Sequence, residues 1–315
     1  MPIPIRAFGR TGLHVSAIGL GTAPLGGMAG RAPDRAVATV RSALAAGARL
    51  IDTAPLYGAG QAERSLGSAL RGLDRGRYVL SSKVGRLVGP DGGILSAYTR
   101  DGVLRSIEAS LGRLGIDRLD IVHIHDPDAH YREAVEDMFP VLADLRAQGV
   151  VGAVGAGMNQ WQMLGEFARH ADFDCFLLAG RYTLLEQTSL DFLELCGSKG
   201  IAVILGGVFN SGILATGPVP HARYQYAEAP ASILERAARL ETACRRHGVP
   251  LRRAALRFAL AHPAVTCAVL GAESPEEFEE HAAGLADPIP ADLWDELRRQ
   301  GLIAPEAPLP VGAGG

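Results

Sequence analysis

The chain of 315 residues carries a formal charge of −3 and a pI near 6.3, so it lacks the basic excess that nucleic acid or an anionic membrane surface selects. Hydrophobic residues make up 48% and charged residues 21%, enough for a sizeable core. No apolar run approaches the roughly 20 residues of a bilayer span, no signal-peptide pattern opens the chain, and Cys175, Cys196, Cys244 and Cys267 form no CxxC pair; a cytoplasmic protein with reduced thiols is expected.

Residues 5–16, with Gly12 between two extended pieces, predict a hairpin. Residues 17–20 read as a short buried strand. A helix follows that Asp34 can cap, with Val37, Val40 and Leu44 on one face and Gly47 closing it. Residues 50–52 form the next strand, and a helix around 66–70 leads to a strand over 78–83. Asp101 reads as the cap of a helix bearing Val103, Ile107, Leu111 and Leu114. Residues 119–125 are a strand, and Val135, Met138, Leu142 and Leu145 mark the helix after it. Strands over 150–154, 173–178, 201–205 and 266–270 complete the set, with helical segments between them.

Each crossover helix returns the chain to the same end, so this alternation demands a parallel sheet. An open doubly wound sheet would announce a dinucleotide with GxGxxG after its first strand. Here that strand runs into Gly19-Leu20-Gly21-Thr22-Ala23-Pro24, which does not fit. Eight strand–helix units over about 250 residues suit a closed α/β (β/α)8 TIM barrel, with an N-terminal β-hairpin and an extra C-terminal helix and tail. No linker divides residues 1–315, so a single domain is expected. The tail from residue 304, with its prolines and glycines, reads as a flexible end or a flap over one barrel mouth.

In such barrels the chemistry sits at the C-terminal strand ends. Strand two ends at Asp52 with Tyr57 in the loop beyond, strand three at Lys83, and strand four at His125-Asp126-Pro127-Asp128. Asp52 alone reads equally as a turn cap, and Tyr57 alone as packing. Lys83 shares strand parity with Val79 and Ser81 and so points into the barrel, where an unpaired ammonium is costly; Asp52 on the adjacent strand can supply the carboxylate. An ammonium beside Tyr57 favours phenolate and draws its pKa down from about 10. Together Asp52, Tyr57, Lys83 and His125 make a tuned proton donor or acceptor. His123, one layer deeper, reads as a hydrogen-bonded core histidine. A metal on His123, His125, Asp126, Asp128 and His130 would need further ligands from later strands. Those offer Asn159, Tyr182, Gly206 and Gly207, so no metal is expected.

Over nearly its whole length the sequence resembles the aldo-keto reductases. The resemblance is carried by Phe8-Gly9-Arg10-Thr11-Gly12-Leu13-His14-Val15-Ser16, Ile51-Asp52-Thr53-Ala54-Pro55-Leu56-Tyr57-Gly58, Ser82-Lys83, Ile124-His125-Asp126-Pro127 and Gly271-Ala272-Glu273-Ser274-Pro275-Glu276-Glu277. It implies that Tyr57 is the general acid or base, that Lys83 and Asp52 tune it, and that His125 orients the substrate oxygen. Residues 19–27, 125–128, 157–160 and 206–212 look like the sugar-oxidising branch of that family. That likeness implies oxidation of a cyclic aldose of the L-fucose, L-galactose or D-arabinose type to a lactone. Pyridoxal, which also forms a cyclic hemiacetal, is the alternative substrate, and a non-catalytic nucleotide-sensing subunit the alternative role. Asp126, Met158 and Asn159 are the implied substrate residues.

The resemblance also implies a nicotinamide cofactor held by Gly21, Thr22, Asn159, Tyr182, Gly207, Phe209, Ser211, Gly212, Gly271, Glu277 and His281. Many family members place a basic residue at the position of Gly271 and an arginine at that of Glu277, to hold the 2′-phosphate of NADP. The absence of positive charge here favours NAD, with NADP the lesser candidate. Glu277 also completes a capping box with Ser274. Gly206 stands where relatives carry an aromatic that stacks on the nicotinamide, so Phe209 or Tyr182 is expected to supply the ring.

Overall fold

The computed structural model describes residues 2–28, 32–89 and 92–310. Eight parallel strands close into a barrel: β1 (Ile18–Gly21), β2 (Leu50–Asp52), β3 (Val79–Val84), β4 (Leu119–His125), β5 (Val151–Met158), β6 (Cys175–Ala179), β7 (Ala202–Gly206) and β8 (Val265–Gly271), each paired with its neighbours in sequence and β8 with β1. This is the TIM-barrel fold, with its helices wrapped outside.

Alternation along each strand divides the core in two. Leu50, Val79, Ile121, Cys175, Leu177, Ile204 and Val269 face inward and fill the barrel. Ile51, Leu80, Val122, Phe176, Val203 and Leu270 face outward and pack under the helices. Strands buried on both faces are apolar throughout rather than alternating, which is why they stand out as runs in the sequence. The hairpin of Ile5–Ala7 and His14–Ser16 closes the N-terminal end, where Phe8 and Val15 are fully buried against the inner core.

Several local expectations need correction. The helix Arg100–Leu114 is capped by Thr99, whose Oγ1 accepts the Gly102 N–H at 3.1 Å, while Asp101 lies in its first turn. The helix Pro33–Ala45 has Ala32 at its N-cap and no side-chain cap; Asp34 again sits in the first turn, where its charge complements the helix dipole. Ser274 does cap Pro275–Ala283, accepting the Glu277 N–H at 3.2 Å. β5 runs four residues past the expected end, to Met158, because Gly155 and Gly157 read as loop although the barrel uses them as strand. The described part of the tail is docked: Ala304 N–H bonds Gln187 Oε1, and Leu309 and Pro310 line one cavity with Pro4, Arg6 and Ala17 at the hairpin end of the barrel, the mouth opposite Tyr57. Residues 311–315 lie outside the described residues.

Two hairpins were unforeseen. Arg86–Val88 pairs with Ile94–Ser96 directly beyond β3, and Arg223–Tyr224 pairs with Ala227–Glu228 in the long connection after β7.

Candidate active site

Asp52 and Ser81 stand in register on β2 and β3, and Lys83 pairs with His123 across β3 and β4. All four side chains are buried. Lys83 Nζ donates to Asp52 Oδ2 at 2.6 Å and to Thr53 O at 2.9 Å. Ser81 Oγ donates to Asp52 Oδ1 at 2.9 Å. That commits the only hydroxyl proton of Ser81, so the 3.1 Å contact with His123 Nδ1 is donated by the imidazole. His123 Nε2 then accepts from the Cys175 thiol, 3.6 Å away. A directed chain thus runs from Cys175 through His123 and Ser81 to Asp52. Burial, reinforced by Lys83, lowers His123 to about 3 and keeps it neutral. Burial alone would lower Lys83 as well, but the charge of Asp52 and hydrogen bonds to Asp52 and Tyr57 hold the ammonium above its ordinary range.

Tyr57 reaches this cluster from the loop after β2. Glycine is required there: Gly58 has φ +57°, and a Cβ on it would lie 2.2 Å from Gly26 O. The loop touches the short helix Ala23–Met28 backbone to backbone, fixing Tyr57 with Lys83 Nζ 4.8 Å from its ring centroid. The expected lowering of the Tyr57 pKa is corrected. Burial raises it, and the opposing pull of Lys83 recovers only part of that rise.

His125, at the end of β4, meets Tyr57 edge-to-face with centroids 6.1 Å apart. Burial, with Lys83 next, holds it well below the ordinary histidine value, so it is neutral. Its Nδ1 is buried without a hydrogen-bond partner. His130 stacks on Tyr98 and His123 turns inward, so the histidines of the metal alternative diverge.

Around the rest of the rim the inward positions are small: Gly157 beside His125, then Ala179, Gly206, Gly271 and Gly21. One half of the rim carries functional groups and the other half carries no side chain larger than a methyl. Asn159, Gly207 and Ser211 line one cavity of about 140 Å3 with Gly180, Asn210 and Tyr226. Ser211 Oγ accepts the Tyr226 N–H at 3.1 Å, and Gly212, at φ +101°, precedes the short helix Ile213–Thr216. Thr22 N–H bonds Asp52 O at 2.9 Å, while its Oγ1 is buried without a partner. Phe209 stacks on His281 at 5.3 Å, and His281 Nε2 bonds Gly271 O at 3.3 Å. Glu277 Oε2 accepts the Glu273 N–H at 2.8 Å.

Two expected site residues lie elsewhere. Tyr182 is 1% exposed and stacks on Phe258 in the outer core, so its ring cannot stack on a ligand in the mouth. Met158 is 1% exposed with outward parity, between barrel and helices, and does not face a substrate. Ser81, Arg86 and Tyr98 belong to the site and were not singled out from the sequence. The Ser81 signal was there in its parity with Lys83.

Comparison with known proteins agrees with this geometry. The model of the aldo/keto reductase family matches residues 17–300. A pyridoxal 4-dehydrogenase of Microbacterium luteolum is 38% identical, covering 95% of this chain and 98% of that protein. A D-threo-aldose 1-dehydrogenase of a Pseudomonas species is 37% identical, covering 93% and 96%. An L-galactose dehydrogenase of Arabidopsis thaliana is 33% identical, covering 90% and 89%. Among solved structures, a holo aldo-keto reductase of Bacillus halodurans superposes with a TM-score of 0.77 at 24% identity over 96% of this chain and 97% of its own, a likeness of fold.

Proposed function

The chain belongs to the aldo/keto reductase family, and within it we propose that it oxidises the anomeric hydroxyl of a cyclic aldose to the lactone with NAD. The observation that carries this reading is the convergence of Tyr57 and His125 on the buried Lys83–Asp52 pair at one barrel rim.

The residues suit a nicotinamide cofactor. The small inward positions of the rim leave room, Asn159 offers a carboxamide partner, and Thr22 Oγ1 is a buried polar atom awaiting one. When bound, the nicotinamide supplies the carbon that accepts hydride. The chain's own residues handle the proton. The anomeric hydroxyl gives its proton to Tyr57 Oη, which acts as general base in its phenolate form; Lys83 stabilises that phenolate, and the transfer leaves Tyr57 as the neutral phenol. Neutral His125 orients the substrate oxygen through a ring nitrogen. Asp52 holds Lys83 in place, and Ser81 and His123 hold Asp52. Glu277 places a negative charge on the helix nearest Gly271, which disfavours a 2′-phosphate and supports NAD over NADP.

Pyridoxal is the second reading, favoured by the named activity of the relative at 38% identity. An initial-rate panel of L-fucose, L-galactose, D-arabinose and pyridoxal with NAD+ and NADP+ tests both. The expected result is NAD+-linked turnover of a sugar, lowered about 10²–10⁴-fold in Tyr57→Phe with NADH binding retained. Activity on pyridoxal alone would select the second reading, and a Tyr57→Phe variant with most of its activity would remove the proton assignment.

A further inference from the structure

Beside His125 the mouth carries a second polar arrangement that proton transfer does not use. Arg86 opens the Arg86–Val88 hairpin strand immediately beyond β3, and its Nη1 donates to Asp126 Oδ2 at 2.6 Å. The side chains remain 28% and 30% exposed, so a ligand in the mouth can reach both. Asp126 Oδ2 is also 3.7 Å from His125 Nε2, adjoining the atoms placed around the reacting carbon.

The pair is held with unusual care. Asp126 adopts φ +43°, a left-handed conformation that is costly for a residue with a side chain and persists only where its surroundings enforce it. Here its N–H bonds Gly157 O at 2.9 Å. The Tyr98 hydroxyl is shared between His125 O at 2.7 Å and Asp126 O at 2.8 Å. Tyr98 in turn packs under Gly85, where a Cβ would lie 2.7 Å from its ring. Among the described residues no hydrogen bond reaches Asp126 Oδ1, and Arg86 donates only to Oδ2. An acceptor and several donors therefore sit side by side.

We propose that Arg86 and Asp126 form a bracket for two neighbouring ring hydroxyls of a polyhydroxylated substrate, one hydroxyl donating to Asp126 Oδ1 and the other accepting from the Arg86 guanidinium. This rests on the reading of the site as one that oxidises cyclic hemiacetals. The bracket suits a neutral diol better than an anion. Asp126 already compensates the Arg86 charge, and the nearby charge of Asp128 repels phosphate and carboxylate groups. The preferred class is therefore the free sugar, against both the sugar phosphate and an unsubstituted hemiacetal.

The test compares kcat/KM for the best of L-fucose, L-galactose and D-arabinose with that for 2-hydroxytetrahydropyran, which has the same hemiacetal carbon and no ring hydroxyls. Wild type, Arg86→Ala, Arg86→Lys and Asp126→Asn are measured with NAD+. The wild type should prefer the sugar. Arg86→Ala and Asp126→Asn should each lower the sugar-to-tetrahydropyranol ratio by about 10–100-fold, mainly through KM for the sugar, and Arg86→Lys should recover part of it. An unchanged ratio, or an equal loss on both substrates, would overturn the bracket. Wild-type turnover of 2-hydroxytetrahydropyran without preference for a sugar would overturn it too, leaving the hemiacetal reading intact. No turnover of either class would overturn both.

Discussion

At Tyr57, burial raises the hydroxyl pKa and Lys83 lowers it, and burial wins. The hydroxyl is therefore protonated at neutral pH, and a base-requiring oxidation gains rate as pH rises through the alkaline range. The reverse reduction, which needs the proton, loses rate over the same range. Removing each neighbour moves the alkaline limb in a known direction. Lys83→Met removes the group that favours phenolate and shifts the limb to higher pH; Asp52→Asn removes one that disfavours it and shifts the limb to lower pH. Profiles of kcat against pH read both shifts, and a limb indifferent to the two substitutions would detach Tyr57 from the proton step. Asp52, Lys83 and His125 were legible in the sequence because strand parity and the cost of a buried ammonium constrain them jointly. Ser81 left only its parity with Lys83 as a signal, and Arg86 and Tyr98 left none, since arginine and tyrosine are commonplace near strand ends and only register and distance show what they hold. Tyr182 and Met158 were misplaced because a family position does not reveal which face of the wall a side chain takes.

At the scale of elements, close backbone contact between the loop after β2 and the short helix Ala23–Met28 locates the chemistry. Gly58 and Gly26 meet without side chains between them, and a methyl on Gly58 would displace the loop that carries Tyr57. Gly58→Ala is expected to lower kcat on the order of 10²-fold, as misplacement of a reacting group by about 1 Å does, while leaving NADH affinity near that of the wild type. Retained kcat would mean that this contact does not position Tyr57. The strands were readable because burial on both faces makes them apolar runs. The two-residue turn at Gln225 and Tyr226 was not, because both adopt positive φ without the glycine or asparagine that marks such a turn. At the start of Arg100–Leu114 both Thr99 and Asp101 are good capping residues, and only the hydrogen bond to Gly102 distinguishes them.

Across the whole molecule, stability and chemistry occupy opposite ends of the barrel. Phe8 and Val15 plug one end, and Tyr57, Lys83 and His125 line the other. Phe8→Ala should therefore cost about 3–5 kcal/mol in denaturant unfolding with little change in kcat per folded molecule; a collapse of kcat at full stability would contradict this division. The barrel itself was legible because eight apolar runs alternate with helical segments and no GxGxxG follows the first of them, as it would in an open dinucleotide-binding sheet. The docking of the tail was not, since its prolines and glycines describe a chain that is not helical without saying where it lies.

In the proposed reaction a hydride leaves the anomeric carbon under the control of Tyr57. Its most direct test is oxidation of [1-²H]-L-fucose, or the equivalent labelled sugar from the panel, with NAD+, followed by ¹H NMR of the reduced cofactor. The expected result is deuterium at C4 of the nicotinamide and a lactone product. Deuterium released to solvent, or a nicotinamide reduced without it, would contradict it.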